Sequence, residues 1–204
     1  MPERTAIELI IFDLGRVLVE FNFRKVIRRL EPYTSKKEGE IHRYFRQTPL
    51  WDAFERGRIA PRGFFQTLKK DLALQGLHFE AFTPIWNEIF EEKPDTIAIV
   101  RRLRGRFRLA MLSNSNVLHW EYLMKRHRFM HWFDYSVASY AVGLRKPEPG
   151  IYRTVLERAG VSPQKAFFTD DIPEHVQAAR ALGLRAHQFR GARRLLKQLD
   201  GILP

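Results

Sequence analysis

The chain of 204 residues contains no cysteine, which excludes disulfides, thiolate metal centres and a cysteine nucleophile. Its first ten residues, MPERTAIELI, carry acids and too brief an apolar run for a signal peptide or a membrane span. Cytoplasm is the expected location and no membrane partner is expected. No internal repeat or low-complexity tract is evident. Acids are the scarcer charge, 23 against 35 Lys and Arg, for a net charge of +12. An excess of that size invites nucleic acid as a partner. The basic residues are scattered, however, at Arg28–Arg29, Lys36–Lys37, Arg101–Arg108 and Arg193–Arg194, with no basic tail, zinc finger or aromatic RNA-binding signature. Nucleic acid is therefore disfavoured as the main ligand. What the chain does have is apolar: 45% hydrophobic and 13% aromatic residues, enough for a folded core. Its length suits one domain, or a domain carrying a sizeable insertion.

The stretch Ile7–Phe12 is short, branched and almost wholly apolar, as a strand buried on both faces should be. From about Phe21 to Lys93 apolar residues recur at helical spacing: Val26, Ile27 and Leu30; Ile41, Tyr44 and Phe45; Phe64, Phe65, Leu68 and Leu72; Phe82, Ile85, Trp86, Ile89 and Phe90. This predicts a separate helical unit without strands. Strand and helix then alternate. Strands are expected at 108–112, 135–139, 166–169 and 185–189, and helices at 97–103, 117–127, 151–158, 176–182 and 195–199. Such alternation implies a parallel sheet between two helical layers. The expectation is an α/β, three-layer, Rossmann-like core of residues 1–20 and 94–204, with a helical cap, 21–93, inserted after the first strand.

Ligands of such sheets lie at the carboxyl ends of the strands. There the sequence places Asp13 in FDLG, Ser113 and Asn114 in MLSNSN, Lys146 in the loop GLRKPEPG, and Asp170 and Asp171 in FFTDDIPEH. Each also has an ordinary structural use. Ser113 suits a turn, Asn116 an N-cap, and Lys146 a solvated loop.

In their order and spacing these motifs resemble the haloacid-dehalogenase-like superfamily, chiefly its phosphatases with a helical cap. The chain looks nearest to the alpha-glucose-1-phosphatase-like branch, which shares the glycine of FDLG, the ERG at Glu55–Gly57, the LSN turn, RKPE and FFxDD. The phosphatase domain of soluble epoxide hydrolase is a more distant likeness. The resemblance implies a phosphomonoesterase acting on a small-molecule phosphate. Asp13 would be the nucleophile that becomes an aspartyl-phosphate, and Lys146 would neutralise it and the transferring phosphoryl group. The Ser113 hydroxyl and Asn114 amide would bind phosphoryl oxygens. Mg²⁺ would be held by Asp13, the Gly15 carbonyl and Asp171, with Asp170 behind them. His175 follows the acidic pair, where relatives often carry Asn or Asp.

Most phosphatases of the superfamily have a second Asp where Gly15 stands, to protonate the departing oxygen. Its absence predicts a leaning toward sugar 1-phosphates, aryl phosphates and acyl phosphates, which need little protonation. Arg16 replaces a residue that is usually small or an amide in that branch, and Trp51, Glu55 and Arg56 are candidates to face the site from the cap. The alternative is a binding or regulatory protein with little turnover, its basic surface meeting nucleic acid or another acidic partner. Carbon–halogen hydrolysis is disfavoured by the acidic pair Asp170–Asp171, and phosphoryl transfer between sugars by Gly15.

Overall fold

The computed structural model describes residues 6–201. Residues 1–5 and 202–204, placed above with the core and, at the N-terminus, in the signal-peptide reading, lie outside the described residues. The run Leu9–Phe12 forms β1, with all four side chains buried. Strand alternation sorts them: Ile10 and Phe12 enter one apolar cluster, Leu9 and Ile11 another. Next come β2 (Val19–Phe21), α1 (Arg24–Leu30), α2 (Glu38–Gln47), α3 (Pro49–Glu55), α4 (Pro61–Asp71), α5 (Phe79–Asn87) and β3 (Phe90–Glu92). Alternation follows through α6 (Pro94–Leu103), β4 (Arg108–Ser113), α7 (Val117–Arg126), β5 (Tyr135–Ala138), α8 (Ser139–Val142) and α9 (Pro149–Ala159). The chain closes with β6 (Ala166–Asp170), α10 (Pro173–Ala181), β7 (Arg185–Gln188) and α11 (Ala192–Asp200).

The protein has an α/β fold. Its main sheet has five strands in the order β5-β4-β1-β6-β7, and every neighbouring pair is parallel. One face packs on Ile97, Val100 and Leu103 of α6, Leu123 of α7 and Leu195 and Leu199 of α11. The other packs on Ile151, Tyr152 and Val155 of α9 and Ala179 of α10. From β1 the chain builds outward through β4 and β5, then crosses back to β6 and β7 on the other side. That reversal opens a crevice at the carboxyl ends of β1, β4 and β6.

The expectation of a strand-free segment from 21 to 93 is corrected. β2 and β3 pair antiparallel, Val19 opposite Glu92 and Phe21 opposite Phe90, as a two-stranded ribbon. Each strand has three residues, too few to show a period against the helical pattern beside it. Between them, α1 to α5 bury a cluster of their own that includes Ile27, Leu30, Phe64 and Trp86. The Trp86 ring has Phe23, Phe45, Trp51, Phe64 and Phe82 at centroid distances of 4.9 to 5.8 Å. Such pairs add about 0.5–1.5 kcal/mol each beyond the area they bury.

Elsewhere the differences lie at boundaries. The first strand starts at Leu9 rather than Ile7, and the strand from Tyr135 stops at Ala138 because Ser139 opens α8. α10 starts at Pro173, earlier than expected, since proline suits the first turn of a helix. No helix among the described residues is long and apolar enough to cross a membrane.

Candidate active site

Asp13 stands one residue beyond β1, its N–H bonded to Thr169 O of β6 at 2.9 Å. Phe12 pairs with Met111 of β4 and Thr169 of β6, so Asp13 emerges between the ends of these two strands, where Ser113 and Asp170 lie. The loop after α8 brings Lys146 across. Its Nζ donates to Asp13 Oδ1 at 2.5 Å and to Asp170 Oδ2 at 2.6 Å. All three side chains are buried. The Asn114 side chain fixes the lysine from behind: its Oδ1 accepts from Lys146 N–H at 2.8 Å and its Nδ2 donates to Lys146 O at 2.9 Å. The Lys146–Pro147 peptide bond is cis.

These charges set one another. Burial pushes the Asp13 carboxyl up to about 7 against the pull of Lys146, and repulsion from Asp170 adds to the rise. Burial also acts to raise Asp170, but Lys146 and His175 outweigh it and bring the group down to about 2. Burial would lower Lys146, yet the two carboxylates hold it above the ordinary lysine value. Asp170 is further held by the Ile172 N–H at 2.9 Å, and His175 Nδ1 lies 3.1 and 3.0 Å from its two oxygens. Asp171 is less buried; partial burial and the neighbouring Asp170 raise its carboxyl. Arg16 Nη1 is 3.7 Å from Asp171 Oδ2.

One oxygen each of Asp13, Asp170 and Asp171 falls within 4.8 Å of the others. Three carboxylates facing one ammonium leave an excess of negative charge, and hard oxygen donors that close together suit a divalent cation. The donor set fits such an ion. Gly15 lies in a tight turn: Leu14 O accepts from Leu18 N–H and Val19 N–H at 2.9 and 3.0 Å, and Arg16 N–H donates to Val19 O at 2.6 Å. Arg16 takes a φ of 59°, a left-handed conformation few non-glycine residues adopt. A Cβ on Gly15 would stand 3.2 Å from Phe21 Cε1.

A cleft of about 600 Å³ lies over these groups, lined by Asp13, Ser113, Asn114, Lys146, Asp171 and His175 from below. Trp51, Glu55 and Arg56, picked out from sequence, line it from α3 and its end. Sequence reasoning missed how that helix is fastened. Arg145 Nη1 donates to Asp52 Oδ1 at 2.6 Å, and its Nη2 lies 2.7 Å from Glu55 Oε2. Arg56 pairs with Asp52 at 2.9 Å, with Glu148, and with the Gly143 carbonyl. The i,i+4 spacing of Asp52 and Arg56 was the available signal. Ser139 Oγ donates to Glu55 O at 2.6 Å. Asn116 caps α7 as expected, its side chain accepting from His119 N–H at 3.0 Å.

A parallel sheet with acids and a lysine gathered at the carboxyl ends of its strands, under an inserted set of helices, defines an α/β enzyme of the hydrolase class. The chain belongs to the haloacid dehalogenase-like hydrolases, whose family profile matches residues 7–183. It is 28% identical over 182 residues to a sesquiterpene phosphatase of Aspergillus oryzae, covering 88% of each chain. It is 26% identical over 193 residues to a D-ribitol-5-phosphate phosphatase of Bacteroides thetaiotaomicron, covering 89% of this chain and 91% of the relative. In fold it is similar to a HAD family enzyme of Bacteroides thetaiotaomicron solved with magnesium and inorganic phosphate. That match has a TM-score of 0.82 at 23% identity and covers 93% of this chain and 99% of the other.

Proposed function

We propose that the protein is a Mg²⁺-dependent phosphomonoesterase acting on a small-molecule phosphate through an aspartyl-phosphate on Asp13. The observation that carries this reading is the buried Lys146 ammonium, 2.5 Å from Asp13 Oδ1 and 2.6 Å from Asp170 Oδ2, beside a third carboxylate at Asp171. In the reading, residues 1–20 and 94–204 act as the core and 21–93 as the cap. In the same reading the glycine at 15 supports the alpha-glucose-1-phosphatase-like branch, and the cytoplasm is the proposed compartment. Both curated relatives named above are phosphatases.

Asp13, the Gly15 carbonyl and Asp171 would hold the ion, with Asp170 supporting them. Bound there, Mg²⁺ supplies positive charge against the phosphoryl oxygens. Asp13 Oδ attacks phosphorus and the ester P–O bond breaks. Lys146 stays beside the attacking oxygen and offsets the charge gathering on the phosphoryl group. Ser113 Oγ and the Asn114 amide bind its oxygens. The departing oxygen takes its proton from water, because Gly15 has none to give. Water then attacks phosphorus, the bond to Asp13 breaks, and phosphate and the free carboxylate are restored.

Phosphate release from a panel of sugar, aryl and acyl phosphates tests this, with Mg²⁺, with chelator, and with Asp13→Asn. Turnover that both chelator and substitution abolish is the expected result. A chain with no turnover on any member, or with Asp13→Asn as active as the parent, refutes the reading.

A further inference from the structure

Behind Gly15 the cleft continues into a second, smaller cavity of about 80 Å³. Leu14, Val19, Phe23, Ile89, Phe90 and Leu123 form its inner wall, while Gly15, Phe21, Trp51, Glu55, Ser113 and Asn114 border both spaces. The two are joined beside a residue without a side chain. Resting on the phosphatase reading above, we infer that this cavity holds the organic half of the substrate, and that the substrate is the phosphate ester of a compact apolar group. A volume of this size, about half of the roughly 150 Å³ that takes a benzene, admits on the order of three carbon-sized atoms, enough for the branched end of a short chain.

Three observations carry the inference. First, among the described residues the large hydrophobic side chains left exposed are Phe21 (36%) and Ile172 (39%), and both line the catalytic cleft. Apolar surface left in water at such a place marks where apolar ligand surface goes. Second, apart from the Ser113 hydroxyl, which the reading above assigns to the phosphoryl oxygens, the polar side chains of the small cavity are engaged, Asn114 with the Lys146 backbone. His119 Nδ1 meets Asn116 Nδ2 at 3.0 Å and His119 Nε2 meets Trp86 O at 3.1 Å. The Ser115 hydroxyl donates to Asn116 O, and its N–H to Ser139 Oγ. Of the buried side-chain acceptors there, Glu55 Oε2 alone among the described residues lacks a hydrogen bond, and it faces Arg145 as an ion pair. Third, the charged groups over the cleft are paired among themselves: Arg56 with Asp52 and Glu148, Arg145 with Asp52 and Glu55, Arg16 with Asp171. A polyol pushed into this cavity would leave most of its hydroxyls without partners.

The test compares two primary-alcohol esters with similar leaving groups, 3-methylbutyl phosphate and ribitol 5-phosphate, with acetyl phosphate as a substrate too small to reach the cavity. The expected kcat/KM favours the methylbutyl ester by at least about tenfold, since each methylene in an apolar pocket discriminates about 10- to 200-fold. Leu123→Phe and Ile89→Phe, which fill the cavity from its inner wall, should erase most of that preference while leaving acetyl phosphate turnover intact. Equal use of the two esters, or preference for ribitol 5-phosphate, overturns the inference. If neither ester nor acetyl phosphate is hydrolysed, the phosphatase reading has failed. Calorimetry then decides the pocket separately: 3-methylbutylphosphonate should bind with a negative heat-capacity change that Phe21→Ser reduces, and no binding refutes it.

Discussion

At the scale of single residues, the site is a set of charges made tolerable by one another. Lys146 is placed by Asn114, which grips both its N–H and its carbonyl, so the lysine's position depends on a neighbouring strand end. Gly15 shapes the chemistry by what it lacks. Aryl phosphates should turn over faster than primary-alcohol phosphates by about 10²-fold or more, the usual contribution of a general acid. This is measured with phenyl and short alkyl esters that fit the cleft equally. Equal rates would mean that an acid elsewhere in the cleft supplies the missing proton. His119 offers a stability test away from the chemistry. Burial lowers it from 6.5 to about 4, so between those values the unfolded chain binds the proton and the folded one does not. Its contribution is whole above pH 6.5 and declines as pH falls toward 4, by about 3 kcal/mol in all. Urea unfolding at pH 7 and pH 4.5 should show a smaller fall for His119→Phe, which keeps a ring against Trp86.

At the scale of elements, helix α3 is fastened at its end to α8 and the 143–148 loop. Gly57, just beyond α3, has a φ of +67°, and a Cβ there would lie 2.2 Å from Tyr140 O of α8. Gly57→Ala therefore meets both strain and a backbone clash, and should cost more than about 1 kcal/mol and lower Tm by at least about 3 °C. Gly76, at φ +69° with nothing within 4 Å of its Cβ, is the comparison: its alanine variant carries strain alone and should lose less. Thermal unfolding of the two variants checks the difference. The parallel strands were legible because a strand buried on both faces is written as an unbroken apolar run, as in Ile10, Ile11 and Phe12. The ribbon was not, because Val19–Phe21 and Phe90–Glu92 are short and three of their six residues are exposed acids, Glu20, Glu91 and Glu92. Asp13, Lys146 and Asp170 could be named in advance because FDLG, RKPE and FFxDD together, in their order and spacing, resemble a known superfamily, although each alone has an ordinary structural use. The grip of Arg145 on Asp52 could not, since it depends on where the 143–148 loop travels in space.

At the scale of the whole molecule, a net charge of +12 sets a positive field around a cleft whose floor is acidic. Such a field speeds the arrival of phosphate dianions and is screened by salt. Raising ionic strength from about 20 to about 500 mM should lower kcat/KM severalfold while kcat changes little. Stopped-time assays at fixed Mg²⁺ check this, and an unchanged kcat/KM would remove any role for the surface charge in capture. The order of the sheet also matters at this scale. Asp13 and Lys146 are 133 positions apart along the chain. During synthesis Asp13 leaves the ribosome early, while its counter-charge and the acidic doublet follow after most of the polypeptide. A nascent chain halted before that loop lacks the ammonium beside Asp13, so under the proposed function unfinished copies would carry an inert carboxyl.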